Sequence, residues 1–279
     1  MSAPPVALRR LQVGGVELAV EEHGRGEPVL LVHGFPLDRR MWRGQVGALD
    51  GVRLILPDLR GHGESEAGPP PYPMVSLAED LRQILDHLGL ARVVLGGLSM
   101  GGYVALAFAA RYPERLRALV LLDTQPGADP PEVRETRVAT AARVRRDGVE
   151  AVAGELLERL VGGRSVEPEI IELTRRMILD TSSEGMVGAL EGMAARPDST
   201  PLLPAIACPT LVIAGSEDAI TPPARARAMA AAIPGAELVE IRGAGHLAPL
   251  ERPDAVNAVL QDFLARVLGL PPAPGARRA

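Results

Sequence analysis

Val93-Val94-Leu95-Gly96-Gly97-Leu98-Ser99-Met100-Gly101-Gly102 reads as an apolar strand that runs into a serine with a glycine two residues away on either side. The form G-x-S-x-G encodes a sharp passage from strand into helix that holds the serine in a strained backbone conformation. Any side chain two positions before or after the serine meets neighbouring backbone, so glycine is needed at Gly97 and Gly101. The same turn sets Ser99 beside a helix N-terminus, where free N–H groups stabilise negative charge. With 30 glycines in 279 residues, the pattern arises by chance in about one such chain in ten, so context must decide. Residues 91–98 read as a buried strand and 100–112 as an alanine-rich helix without internal proline, which supplies the strand-turn-helix. Ser99 is therefore read as a nucleophile, with helix capping as the lesser role.

Outward from this turn the chain alternates short apolar strands with helices. Residues 7–13 and 16–22, joined by Gly14 and Gly15, read as a hairpin. Strands follow at 29–32, 52–56, 119–122, 211–214 and 237–241, and a last helix spans about 254–268. Ser76 with Glu79 forms a capping box before a helix whose Leu77, Leu81, Ile84, Leu85 and Leu88 share one face. This alternation predicts an α/β fold: a mostly parallel sheet with helices on both faces. Strand signals stop between 126 and 200, where helical stretches replace them. That segment is expected to be an inserted cap or lid, with 1–125 and 201–279 forming the core and the tail 271–279 disordered.

Composition narrows the class. A hydrophobic content of 47% with 23% charged residues is that of a soluble globular chain, and no apolar run approaches a membrane span. The first eleven residues lack an apolar signal core, so the expected location is cytoplasmic. A net charge of −5 argues against nucleic-acid binding. The single cysteine, Cys208, excludes an internal disulfide and reads as a small buried side chain. All 30 basic residues are arginine, so Schiff-base chemistry and serine-lysine dyads are excluded.

A nucleophilic serine needs a base, and the base an orienting acid. Of the histidines at 23, 33, 62, 87 and 246, His246 is the strongest base. It sits in Gly243-Ala244-Gly245-His246, a loop directly after a strand, which places it at the carboxyl edge of the sheet. His87 reads as a helix-surface residue and His23 as solvated, while His33 and His62 follow strands. For the acid, Glu217 and Asp218 follow the strand at 211–214. Asp218 is favoured by its place at the turn before a helix, with Asp123 as a rival at another strand end.

Together with His33-Gly34-Phe35-Pro36, Asp58-Leu59-Arg60-Gly61-His62-Gly63-Glu64-Ser65, and Gly245-His246 with Glu251-Arg252-Pro253, these residues resemble the α/β-hydrolase superfamily over nearly the whole chain. The resemblance is nearest to small carboxylesterases, enol-lactonases and cofactor-free perhydrolases. It implies Ser99, His246 and Asp218 as the triad and the backbone N–H groups of Phe35 and Met100 as the oxyanion hole, and it makes His62 a loop-packing residue. The expected reaction is hydrolysis of a small, largely apolar ester or lactone through an acyl-enzyme, with no metal or organic cofactor required. Perhydrolysis, carbon–carbon bond hydrolysis with the same triad, and a ligand-binding receptor of the same fold are the alternatives. An aspartate nucleophile, as in related dehalogenases and epoxide hydrolases, is disfavoured by the serine at 99. Phe35, Leu37, Met41, Trp42, Met186 and Met193 are expected at the pocket, with Met186, Leu190 and Met193 on one face of a cap helix.

Overall fold

The structure is a computed structural model that describes residues 6–162 and 166–270; the tail 271–279 lies outside the described residues. The strands are β1 (Val6–Val13), β2 (Val16–Gly24), β3 (Glu27–Val32), β4 (Val52–Pro57), β5 (Val93–Leu98), β6 (Leu116–Leu122), β7 (Thr210–Gly215) and β8 (Glu237–Ile241). Among the described residues they form one sheet in the order β1-β2-β4-β3-β5-β6-β7-β8. The β1-β2 hairpin and the β2-β4 pair are antiparallel, and every pairing from β4 to β8 is parallel. β5 is buried at all six positions, which is why it reads as an uninterrupted apolar run with no alternation.

After β3 the chain crosses to the outer side as β4, then returns as β5 on the other side of β3. The carboxyl ends of β3 and β5 therefore flank a topological switch point, the place where open α/β sheets keep their sites. Helix α1 (Met74–His87) precedes β5 and α2 (Met100–Arg111) follows it. The capping box predicted at Ser76 does not form: α1 begins three residues earlier, with Pro73 at its N-cap and no side-chain cap. Glu79 instead pairs with Arg82 at 2.5 Å.

Between β6 and β7 the chain leaves the sheet for α3 (Pro131–Asp147), α4 (Glu150–Val161), α5 (Pro168–Asp180) and α6 (Ser183–Ala194). α7 (Pro223–Ala232), the short α8 (Ala248–Glu251) and α9 (Pro253–Leu268) complete the fold. Among the described residues no helix is long and apolar enough to cross a membrane. Cys208 is half-buried rather than buried. His23, expected in solvent, is buried beside Glu21, with 2.7 Å between the ring and the carboxylate.

Candidate active site

The turn after β5 has the strain its sequence encodes. Ser99 sits at φ 52° and ψ −112°, a conformation that non-glycine residues rarely adopt. Its carbonyl is fixed by Thr124 Oγ1 at 2.8 Å and its N–H donates to the Leu122 carbonyl at 2.9 Å. A Cβ on Gly97 would strike the Gly101 carbonyl, and one on Gly101 would strike the Val32 carbonyl of β3. Close backbone approach therefore requires both glycines.

The loop after β3 lies against this turn: a Cβ built on Gly34 would stand 3.4 Å from the Ser99 Cβ. That proximity brings Phe35 and Met100, the next residue in each segment, to one locality. Met100 opens α2, so its N–H has no intrahelical acceptor. Two buried histidines support the loop. His33 Nδ1 bonds the Gly34 carbonyl at 2.9 Å and its Nε2 accepts the Leu59 N–H at 2.9 Å, which fixes a neutral ring. His62 packs against His33 with centroids 5.1 Å apart and against the Phe35 ring edge-on at 6.4 Å.

Burial lowers His33 to about 4. Burial and the neighbouring His33 lower His62 to about 3. An unfolded histidine binds its proton near 6.5, so below that value the unfolded chain holds more protons than the native one. Each ring then removes about 1.4 kcal/mol of stability per pH unit until its native pKa is reached. Asp58 has the opposite effect, since burial, against Arg39, raises it to about 6. The difference between two proteins isolates the histidine contribution: the stability advantage of wild type over His62→Phe should shrink steadily from pH 6.5 to pH 4. Urea unfolding across that range measures it, and a constant difference would contradict the assignment.

At the far edge of the site, β7 delivers Asp218 and β8 delivers His246. Asp218 is buried while its neighbour Glu217 is exposed. Asp218 Oδ1 accepts the N–H groups of Ile220 at 2.8 Å and Thr221 at 3.0 Å. Its Oδ2 accepts the Thr221 hydroxyl at 2.6 Å and His246 Nδ1 at 2.8 Å. Burial works to raise this carboxyl, but the His246 ring and the hydrogen bonds from His246 and Thr221 override it, so it lies below the ordinary carboxylate range. The histidine loop is clamped on both sides: Glu251 accepts the Gly245 N–H at 2.7 Å and the Leu247 N–H at 3.0 Å.

The rival acid Asp123 ends β6 at φ 42° and does not hydrogen-bond His246. Its Oδ1 accepts the Gly215 N–H at 2.7 Å, and burial, then the charge of Asp218, pushes its carboxyl well above the usual range. His87 is exposed on α1, and its ring bonds the Gln83 carbonyl of its own helix at 2.9 Å.

Ser99 and His246 line one cavity of about 650 Å³, counting the part open to solvent. Among the described residues the serine hydroxyl makes no hydrogen bond to the ring, a contact that is often loose until substrate binds. Phe35 and Met193 stand on the cavity wall; Leu37, Met41, Trp42 and Met186 do not, being fully buried. Arg39–Trp42 forms a 3₁₀ turn that carries Met41 and Trp42 into the core. Tyr103, Ile220, and Val133, Arg137, Leu156 and Arg159 of α3 and α4 complete much of the wall. Sequence patterning did not point to these, because α3 is largely polar and buries only Ala141 and Val144.

Residues 27–253 match a family described by its alpha/beta hydrolase fold. The chain is similar to a thermophilic esterase of Thermogutta terrifontis, solved with malate bound (TM-score 0.88, 47% identity, 94% of this chain and 99% of that one). It is similar also to an enol-lactonase of Burkholderia xenovorans (TM-score 0.84, 35% identity, 94% and 100%). A non-heme chloroperoxidase of Kitasatospora aureofaciens is 31% identical over 246 residues, which are 83% of this chain and 89% of the relative.

Proposed function

Because the chain belongs to the α/β hydrolase fold family, we propose that it is a serine hydrolase cleaving a small carboxylic ester or lactone through Ser99, His246 and Asp218. The observation that carries this reading is the 2.8 Å bond from His246 Nδ1 to Asp218 Oδ2, in a histidine that lines the same cavity as Ser99. Ser99 attacks the substrate carbonyl as His246 Nε2 takes its proton, while Asp218 holds the ring in the tautomer this requires. The backbone N–H groups of Phe35 and Met100 receive the developing oxyanion, worth about 3 to 4 kcal/mol per donor in comparable sites. His246 then protonates the leaving oxygen, and a water activated by the same ring releases the acid. Helices α3 to α6 act as a cap over the core formed by the rest of the chain.

Phe35, Leu156, Leu160, Leu190, Met193 and Ile220 give the cavity its apolar share, which suits a short hydrocarbon chain. The likeness to a chloroperoxidase favours one second reading, in which hydrogen peroxide replaces water at the acyl-enzyme to give a peracid. A panel of p-nitrophenyl esters from acetate to decanoate, with a simple lactone, tests the main reading. Turnover with an optimum among the shorter chains is expected. No turnover across the panel in a protein that a fluorophosphonate also fails to label would overturn it.

A further inference from the structure

Among the described residues, two arginines and no carboxylate line the cavity that Ser99 and His246 share. Arg137 of α3 and Arg159 of α4 both stand on its wall, and none of the other lining residues is Asp or Glu. Arg137 Nε donates to Asp129 at 2.6 Å. That buried carboxylate is shared with Arg196 at 3.2 Å, which in turn lies 3.7 Å over the Tyr103 ring. One anion thus serves two guanidinium groups, and the single charge of Asp129 is already spent. Arg159 makes no ion pair and no hydrogen bond among the described residues, although its neighbours include a second cation. Burial and then Arg137 push its guanidinium below the usual range, against the pull of Tyr103 and Asp129.

Arg159 keeps part of its surface in solvent, but two like charges on one cavity wall repel each other, and an anion bound beside both relieves that repulsion. A carboxylate suits paired guanidinium groups, which offer several donors in a planar fork. We infer that the substrate is an ester or lactone bearing a free carboxylate, bound by Arg159 and Arg137 from the cap while the scissile carbonyl lies at Ser99. The inference rests on the serine-hydrolase reading and goes beyond it in naming the charge of the substrate. It also changes the expectation of a largely apolar substrate: the hydrocarbon part lies against the apolar wall and the charged end against the cap.

Two pairs of esters test it, so that either end of the substrate is free to carry the charge. In one pair, p-nitrophenyl hydrogen glutarate is compared with p-nitrophenyl pentanoate. In the other, 4-(butanoyloxy)benzoate is compared with its methyl ester. The wild type is expected to prefer the anionic member of at least one pair by about tenfold in kcat/KM, with the preference falling as ionic strength rises. Arg159→Gln should bring that ratio close to one, and Arg159→Glu should invert it. Arg143→Gln, which alters a half-buried arginine of α3 paired with Glu155 and absent from the cavity wall, should leave the ratio as in wild type. Comparable rates for both members of both pairs, or a preference that survives Arg159→Gln, would overturn the inference. Loss of all ester turnover in the wild type would instead overturn the underlying hydrolase reading.

Discussion

Asp218→Asn is expected to reduce kcat about 10⁴-fold, while Asp123→Asn leaves turnover within a small factor of wild type. The asparagine at 218 retains an oxygen for the Ile220 and Thr221 N–H groups, so the turn after β7 survives. Its amide nitrogen then faces the Thr221 hydroxyl and His246 Nδ1, where a carboxylate oxygen had accepted. A donor there makes Nδ1 an acceptor and moves the ring proton to Nε2, the atom that must receive the proton of Ser99. Asp123 serves the fold instead, because its Oδ1 holds the Gly215 N–H at the end of β7, and an asparagine oxygen makes the same bond. Steady-state kinetics on one ester, with thermal unfolding to confirm that both variants fold, distinguish the two acids. Equal losses would undo the choice of Asp218.

Ser99→Ala is expected to have the larger effect, a fall in kcat of about 10⁶-fold with the fold intact. The substitution keeps the Cβ that the turn already accommodates at φ 52°. It also leaves in place the backbone bonds to Leu122 and Thr124 that hold the turn. Substrate affinity should persist, since the cavity wall and the proposed oxyanion N–H groups are untouched, and only the covalent step is lost. Thermal unfolding close to wild type, binding of a slow ester analogue by calorimetry, and absence of turnover together constitute the expected result. Turnover within tenfold of wild type would exclude Ser99 as the nucleophile.

The parts of the molecule that were legible in the sequence are those fixed by local backbone chemistry. Gly97 and Gly101 announce their turn because no other residue fits beside the Gly101 and Val32 carbonyls. Asp218 and His246 follow apolar strands, and parallel strands place such loops together at one edge however far apart they lie in the chain. The start of α1 was less legible, because a proline at 73 can open a helix without the side-chain cap that Ser76 and Glu79 suggested. The cavity wall was least legible of all. Leu37, Met41 and Trp42 neighbour Phe35 in sequence, but the 3₁₀ turn at Arg39–Trp42 takes Met41 and Trp42 into the core, and Leu37 is fully buried as well. Arg137 and Arg159 belong to charged helices, a pattern that reads as a solvated face until the structure sets both on the wall of the cavity that Ser99 lines.

The central claim is that Ser99, activated by His246, is the nucleophile of this cavity, and the most direct test is mass spectrometry of the protein after reaction with a fluorophosphonate. The account predicts a single adduct per chain, located on the peptide containing Ser99, formed at a rate that collapses in His246→Ala. An adduct on another residue, or equal labelling of Ser99 with and without His246, would contradict it.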